Sequence, residues 1–410
     1  MNDLGLRAAS GLGFLAMLGI AWLCSSNRGA ISRRPVLVGV SVQVILALLF
    51  LATPLRDFFF PFFEGLVRLI IEWSQVGARF LFGPLLDVGE SFALGVLPIV
   101  LLMGTLISIL YHLGVIQPIV RLLARGLSKS MGVSGAESLA AAANVFLGML
   151  EAGIVIGPYL ARLTRSELFA FMTLGMSTIA GTVLVAYARM LGESAYAGHL
   201  IVASILSAPG ALVIAKIMIP ETETPETSGE TPMIELAPAS NLIDAATAGA
   251  LSGLRIALNV GALLIAFVAL IAVLNTGISA LGGLFGAPDL TLQAILGVVL
   301  SPFALLMGIP WAEAREVGAL IGVKTVLNEF IAYADLAAAI ADGRLSPRSA
   351  LVASYALCGF ANFGSLAILL GGLDALAPER RPEAASLGLR SILAGTLATC
   401  ATGCLAGLIA

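Results

Sequence analysis

Apolar segments of roughly 20 residues recur along the chain, and they constrain its fold more strongly than any other feature of the sequence. Lipid offers no hydrogen-bond partner to the backbone, so a segment of this length crosses the bilayer as a helix. The sequence therefore predicts an all-α polytopic membrane protein with eight transmembrane helices. The apolar segments lie at about 8–25, 35–53, 91–112, 166–190, 197–219, 249–275, 347–372 and 385–409.

The low share of charged residues supports a membrane protein and excludes several classes of function. Charged residues make up 11% of the 410-residue chain, whereas soluble domains carry about 25%. A net charge of −3 gives nucleic acid no basic surface. The four cysteines lie in apolar segments without metal-ligand spacing, and no nucleophile–base pair is evident. We therefore expect neither an enzyme nor a cofactor, and we expect the lipid bilayer as the surroundings.

An acid and an amide interrupt the apolar stretch at about 134–161. Placing a carboxylate at membrane depth costs at least about 2.5–3.5 kcal/mol of free energy. Asn144 and Glu151 are therefore expected to have a polar partner or a functional role. Basic residues flank this stretch on both sides, with Arg162 at its end. Because cytoplasmic loops are enriched in Lys and Arg, both ends should face the cytoplasm. The stretch therefore predicts a re-entrant hairpin with its tip near Gly148.

A second stretch of the same kind lies at about 313–342. It carries Asn328 and Glu329 in an otherwise apolar setting, and it predicts a second re-entrant hairpin. Lys324 precedes Glu329 by five residues, so a structural ion pair between them is the alternative to a functional role for the acid.

Each hairpin is followed by an apolar segment that polar and glycine residues interrupt. The fourth segment is broken at 175–181 and the seventh at 358–365. Three crossings separate the two hairpins, so the two units would have opposite orientations in the membrane. Inverted repeats with broken helices and a site at the midplane are typical of secondary transporters.

This pattern divides the chain into four parts. Residues 1–90 supply scaffold helices and an amphipathic helix, and residues 91–219 form the first repeat. An acidic, proline-rich cytoplasmic linker follows at 220–246, and residues 247–410 form the second repeat.

Basic loops and amphipathic segments predict how the chain lies in the membrane. Arg28, Arg33 and Arg34 follow the first span and mark a cytoplasmic loop. This places the N-terminus on the outer, periplasmic side of the cell inner (plasma) membrane, and eight crossings return the C-terminus to that side. Spaced charges at about 54–88 and 115–131 predict interfacial helices.

The polar residues near the breaks suit two kinds of ligand. Glu329, Asn362 and Ser365 offer a carboxylate, an amide and a hydroxyl, which together suit a polyol. Asn144 and Thr178 can supply oxygens for a small cation, with carbonyls freed by the breaks. The alternative for Thr178 and Ser365 is that their hydroxyls bond back to carbonyls of their own helices.

Several motifs resemble those of the concentrative nucleoside transporters. The motifs on which this resemblance rests are NVFLGMLEA at 144–152, LTRSELF at 163–169, KTVLNEF at 324–330, ALCGFANF at 356–363 and ALAPERR at 375–381. The resemblance implies a homotrimer with eight spans and two re-entrant hairpins per protomer. It also implies an elevator-like transport domain and uptake driven by sodium or protons.

The resemblance also assigns site residues. It implies that Glu329, Asn362 and Ser365 hold the ribose of a nucleoside. Phe360 matches an aromatic residue that lines the site, and Val183 matches a residue near the base.

For the coupling ion, the resemblance implies a sodium site between the first hairpin and the broken fourth helix. Asn144 and Thr178 match its side-chain ligands, and the carbonyls of Leu147 and Ile179 complete it. A proton carried by an acidic side chain of the hairpins is the alternative.

The first hairpin departs from the family pattern. Its tip usually reads Gly-Gln-Thr-Glu, in which Gln and Thr contact the nucleobase, but here it reads Gly148-Met149-Leu150-Glu151. Glu151 keeps its place among the substrate residues, while Met149 and Leu150 replace polar contacts by apolar ones. Transport of a different ribosyl or sugar-containing metabolite is therefore the alternative to nucleoside uptake.

Overall fold

A computed structural model describes residues 3–87, 91–192, 196–229 and 239–409, and in these ranges the chain contains helices and connecting turns but no strand. Part of the predicted acidic linker, residues 230–238, lies outside the described residues. The first half contains α1 Asp3–Leu23, α2 Arg33–Ala52, α3 Leu55–Phe82, α4 Phe92–Gly95, α5 Leu97–His112, α6 Ile116–Met131, α7 Gly135–Asn144, α8 Met149–Val155, α9 Gly157–Leu160, α10 Arg165–Ser177, α11 Gly181–Met190 and α12 Ala197–Met218. The second half contains α13 Leu242–Leu284, α14 Leu292–Leu306, α15 Trp311–Val326, α16 Glu329–Ala341, α17 Pro347–Leu357, α18 Phe363–Leu376 and α19 Arg381–Ile409.

The predicted all-α polytopic membrane fold is confirmed. Within the described ranges, seven helical segments are long and apolar enough to cross a membrane, or eight if the bent pair α14 and α15 counts as one span. The predicted seventh span consists of α17 and α18, with 11 and 14 residues, and the connection between them falls within the predicted break at 358–365. Helix α13 has 43 residues and, at about 1.5 Å per residue, is much longer than the hydrocarbon layer is thick.

Buried helices form the centre of the molecule and exposed helices surround it. Most residues in the spanning parts of α10, α12 and α19 are buried, whereas few of those in α13 are. Helix α3 exposes large apolar side chains such as Phe58, Trp73 and Phe80. Apolar faces of this size suit lipid or another protein surface.

Both predicted hairpins are present as helix–turn–helix units. Helix α7 turns at 145–148 into α8, and α15 turns at 327–328 into α16. Capping boxes begin α7 at Ser134 and α10 at Thr164, where each cap side chain accepts from the backbone N–H of a glutamate three residues later. These caps accept hydrogen bonds from backbone N–H groups that have no partner in the first turn of a helix.

One end of the molecule gathers the N-terminus, the C-terminal helix and the base of the second hairpin. Ser10 Oγ donates to the carbonyl of Met307 at 2.8 Å, and an Arg348 guanidinium nitrogen lies 3.7 Å from a carboxylate oxygen of Asp3. Arg348 also donates to the carbonyl of Gly407 near the end of α19, so the two ends of the described chain lie on the same side of the helix bundle.

The opposite end gathers the basic loops. Arg34 Nη2 donates to the carbonyl of Lys129 at 2.7 Å, and Arg380 Nη1 donates to the carbonyl of Ala161 at 3.2 Å. The loop after α1, the end of α6, the end of the first hairpin and the loop before α19 thus share one side.

A buried ion pair ties the base of the first hairpin to α12. Lys216 Nζ lies 2.5 Å from Glu137 Oε1, and it also contacts Glu221 Oε2 at 3.3 Å and Ser166 Oγ at 2.9 Å. The Lys216 and Glu137 side chains are 6% and 1% exposed. Glu221 lies at the start of the linker, so the described part of the linker, 220–229, anchors to the hairpin base. Thr227 contributes as well, because its hydroxyl accepts from the backbone N–H of Ala136 at 2.9 Å.

Replacing Lys216 by methionine should destabilise the protein strongly. Removing one member of a buried ion pair leaves an uncompensated charge and costs about 3–5 kcal/mol. The matched control is Arg79→Met, because Arg79 pairs with Asp87 at 2.9 Å but both side chains are more than 60% exposed, and such pairs contribute at most about 1 kcal/mol. Thermal unfolding in detergent measures both variants. Equal shifts in melting temperature would contradict the prediction.

Candidate functional site

Glu329 is the centre of the polar cluster. It is the first residue of α16 and is only 4% exposed. The Tyr187 hydroxyl donates to Oε1 at 2.9 Å, and Asn362 Nδ2 donates to Oε2 at 2.8 Å. Each carboxylate oxygen therefore has one protein donor and keeps capacity to accept from a ligand.

The local chain folds so that helix N-termini meet at this carboxylate. Asn328 caps α16, with its Oδ1 accepting from the backbone N–H of Ile331 at 3.0 Å. Asn362 caps α18 in the same way, accepting from the N–H of Ser365 at 2.7 Å. Because helix N-termini carry partial positive charge, they stabilise the anionic form of Glu329.

Lys324 does not pair with Glu329. Its ammonium donates to the carbonyl of Ala356 at 2.8 Å and to Thr399 Oγ1 at 3.0 Å, and no ion pair of Lys324 occurs among the described residues. The cation therefore lies at the carbonyl end of α17, where a positive charge is favourable. The structural ion pair considered for Glu329 is absent, so the acid stays available to a ligand.

The remaining predicted ribose and base residues lie in α11, in α18 and in the connection between α17 and α18. Ser365 is 7% exposed in the first turn of α18. Phe360 lies in the α17–α18 connection, where its carbonyl accepts from the N–H of Asn362 at 2.8 Å. Val183 is buried in α11, one turn before Tyr187. Residues four apart share a helix face, so Val183 and Tyr187 point in similar directions.

The tip of the first hairpin packs against the break between α10 and α11. The N–H of Gly181 donates to the carbonyl of Phe146 at 3.3 Å. A Cβ on Gly148 would lie 3.3 Å from the Cβ of Ala180, so the two turns are in close contact. The structure thus brings together the two segments that the sequence assigned to a cation.

Oxygen atoms without donors line this junction. Asn144 Nδ2 donates to the carbonyl of Ala140 at 3.0 Å, while its buried Oδ1 has no hydrogen-bond partner. The Thr178 hydroxyl bonds back to the carbonyl of Leu174 at 2.9 Å, as expected for a hydroxyl in an apolar helix, and its lone pairs remain. The carbonyls of Leu147 and Ile179 receive no hydrogen bond within the described parts of the chain. This donor-free set fits a hard cation, which prefers oxygen ligands.

Met149 and Leu150, the two tip residues that differ from the family pattern, pack against different helices. Met149 is 7% exposed and packs against α10, where a Cβ on Gly175 would lie 3.0 Å from the Met149 Cβ. Leu150 is partly exposed and reaches α18, with its Cδ2 next to Gly372. Glu151 is half-buried, and the described residues show no hydrogen bond from it to Glu329 or Asn362. Within the described residues, a hydrogen bond therefore joins Glu329 to Asn362, and none joins Glu151 to either of them.

Tyr187 belongs to this polar cluster, although its sequence context does not predict it. Its local signal is a phenolic hydroxyl in a largely apolar helix. Since a buried tyrosine hydroxyl usually finds a hydrogen-bond partner, that signal indicated a partner but not which one.

Family models cover most of the chain. The model described as "Na+ dependent nucleoside transporter C-terminus" matches residues 199–407, and "Na+ dependent nucleoside transporter N-terminus" matches residues 12–85. A model described as "Nucleoside recognition" matches residues 93–194. The chain belongs to the concentrative, Na⁺-dependent nucleoside transporter family. The family predicted from the hairpin motifs is therefore confirmed.

Relatives of this transporter match it along nearly its whole length. The uncharacterized transporter YutK of Bacillus subtilis is 48% identical, over 97% of this chain and 98% of the relative. The nucleoside permease NupC of Helicobacter pylori is 38% identical, over 97% and 96% of the two chains. The solved structure of CNTnw in an inward-facing substrate-bound state is 42% identical, with a TM-score of 0.92 over 98% of each chain.

Replacing either capping asparagine by alanine should destabilise the transporter, but to different extents. Loss of an N-cap costs about 1 kcal/mol, and both Asn328 and Asn362 are caps. Asn362→Ala also removes the donor to Glu329 Oε2, which adds the cost of an unsatisfied buried acceptor, about 1–3 kcal/mol. Thermal unfolding of both variants tests this, and a smaller loss for Asn362→Ala than for Asn328→Ala would contradict it.

Proposed function

We propose that this protein is a secondary active transporter that takes up nucleosides across the cell inner membrane, coupled to a cation gradient. The observation that carries the proposal is the buried Glu329 carboxylate, held by Tyr187 and Asn362 at the N-termini of α16 and α18. A carboxylate with free acceptor capacity at this depth suits a ligand that brings its own hydroxyl donors.

The ribose of a nucleoside meets this requirement. Glu329 accepts from ribose hydroxyls, while Asn362 and Ser365 add an amide and a hydroxyl beside it. The nucleobase then lies towards Phe360 and Val183, on the apolar side of the site. Apolar walls with a few placed polar groups are the usual composition of small-molecule sites.

The first-hairpin tip sets the preference among bases. Leu150 is partly exposed next to α18, Met149 backs the tip against α10, and Glu151 lies half-buried beside them. Because the tip lacks the polar Gln–Thr pair, its affinity for a base depends more on the shape of the base than on the hydrogen-bonding groups along its edge. The names of the relatives favour nucleosides over the alternative of another sugar-containing metabolite.

Sodium is the proposed coupling ion. The buried Asn144 Oδ1 without a partner, Thr178 Oγ1 and the carbonyls of Leu147 and Ile179 supply oxygen atoms only. The description of the matching family as Na⁺-dependent supports sodium over a proton.

Transport follows from two repeats that move together against a scaffold. We assign the repeats to 91–219 and 247–410, with re-entrant hairpins at about 134–161 and 313–342, and the scaffold to 1–90. CNTnw has been solved in inward-facing, outward-facing and intermediate states, which supports elevator-like alternating access here.

The exposed apolar faces of α3 and α13 suit a homotrimer in the bilayer. The basic loops gathered at one end face the cytoplasm, so both chain ends face outwards.

Uptake into proteoliposomes tests the function. Purified protein is reconstituted and assayed with radiolabelled adenosine, guanosine, uridine and cytidine under an inward sodium gradient and, separately, an inward proton gradient. We expect sodium-driven accumulation of at least one nucleoside. No accumulation of any of the four under either gradient would contradict the proposal.

Glu329→Gln should abolish nucleoside uptake. The amide keeps the side-chain size but replaces one acceptor oxygen by a donor, which cannot accept from a ribose hydroxyl. Glu316→Gln is the matched control, since Glu316 lies in the same hairpin and pairs with Arg344 near the surface. Uptake by both variants is compared at equal protein level. Full uptake by Glu329→Gln would remove Glu329 from the site.

Asn144→Ala should raise the sodium concentration needed for half-maximal uptake about tenfold. The substitution removes one oxygen ligand, and a lost interaction with a charged group is worth about 1.5–3 kcal/mol. Ser138→Ala is the control in the same helix, because among the described residues the Ser138 hydroxyl bonds to the carbonyl of Gly135 alone. Sodium titration of uptake distinguishes the two. An unchanged sodium dependence in Asn144→Ala would place the cation elsewhere.

A further inference from the structure

Tyr187 connects the first repeat to the acid of the second. It lies in α11, which begins three residues after Thr178 at the proposed cation junction. Its side chain is completely buried. Its hydroxyl is the only side-chain donor to Glu329 Oε1 in the described part of the chain, at 2.9 Å.

Two aromatic residues of α16 hold the Tyr187 ring in place. The ring stacks on Tyr333, with centroids 4.6 Å apart and an interplanar angle of 21°. It also meets Phe330 edge-on at 4.7 Å and 63°. Phe330 and Tyr333 are one and four residues after Glu329 on the same helix. The packing therefore fixes the Tyr187 hydroxyl relative to Glu329 itself.

The two donors set the orientation of the carboxylate. Tyr187 binds one oxygen and Asn362 binds the other, so rotation of the carboxylate would break at least one hydrogen bond to a charged acceptor. Such hydrogen bonds are stronger than those between neutral groups. The remaining acceptor capacity of Glu329 is therefore directed before any ligand arrives, and preorganisation of this kind increases affinity.

We propose that Tyr187 is a positioning residue that orients Glu329 to accept from the ribose hydroxyls of the substrate. This role rests on the proposed function. Tyr187 acts through Glu329 rather than by touching the ligand. The first repeat thereby contributes to ribose recognition by the second, through a hydrogen bond between residues 142 positions apart.

The chain offers a matched control for the hydroxyl. Tyr333 is also completely buried and belongs to the same stack, but its hydroxyl donates to the carbonyl of Ser354 at 3.0 Å. Tyr187→Phe and Tyr333→Phe each remove one buried hydroxyl and keep the ring. Only Tyr187→Phe removes a donor from Glu329.

Equilibrium binding provides the first measurement. Isothermal titration of purified protein in sodium-containing buffer with adenosine and with uridine gives the Kd of the wild type and both variants. We expect Tyr187→Phe to weaken binding about tenfold, the value of one hydrogen bond to a charged group. We expect Tyr333→Phe to stay within about twofold of the wild type. Unchanged or tighter binding in Tyr187→Phe would overturn the proposal.

Dideoxynucleosides provide a measurement that a purely structural role would not change. The ratio of Kd for 2′,3′-dideoxyadenosine to Kd for adenosine reports how much the ribose hydroxyls contribute. We expect this ratio to fall in Tyr187→Phe and to keep its wild-type value in Tyr333→Phe. An equal loss of affinity for both ligands in Tyr187→Phe would assign Tyr187 to packing alone and overturn the proposal.

The two proposals fail in different ways. If the wild type binds no nucleoside and transports none, the proposed function is wrong and the role of Tyr187 is wrong with it. If the wild type binds nucleoside with a clear preference for the ribonucleoside and Tyr187→Phe keeps that preference, only the positioning role is wrong.

Discussion

The structure depends on giving the buried Glu329 carboxyl group hydrogen-bond partners inside a membrane protein. A charge at this depth is expensive, and no cation lies against it among the described residues. Its stabilisation comes instead from Tyr187, from Asn362 and from the N-termini of α16 and α18. Continuous helices could not provide this environment, because their N-terminal N–H groups would lie at the membrane surface.

The broken helices and hairpins follow from the same requirement. A helix that stops inside the protein exposes backbone donors at one terminus and acceptors at the other. Donor ends meet at Glu329, and the carbonyl end of α17 receives the ammonium of Lys324. At the first hairpin, Asn144 and the carbonyl of Leu147 leave oxygens without donors. The end of α17 thus has a protein cation beside it, whereas the turn after α7 keeps oxygen atoms without a hydrogen-bond donor among the described residues.

Several elements of the site could be predicted from the sequence because polar residues in apolar segments are conspicuous. Asn144, Glu329 and Asn362 were identified in this way, and so were both hairpin turns. The partner of Lys324 could not be predicted. Only four residues lie between Lys324 and Glu329, but α15 ends at Val326 and α16 begins at Glu329, so the turn between them directs the two side chains to different neighbours.

The sequence by itself determined the helical membrane fold, the order of its spans and the positions of the breaks, since lipid requires each segment to satisfy its own backbone hydrogen bonds. This requirement acts within each segment, so the composition of the segment is enough to recognise it. Only the tertiary structure decided which groups satisfy the buried side chains. Tyr187 reaches Glu329 from α11, and Lys216 reaches Glu137 from α12. These partners are far apart in the chain, and their pairing depends on how helices pack rather than on any local pattern.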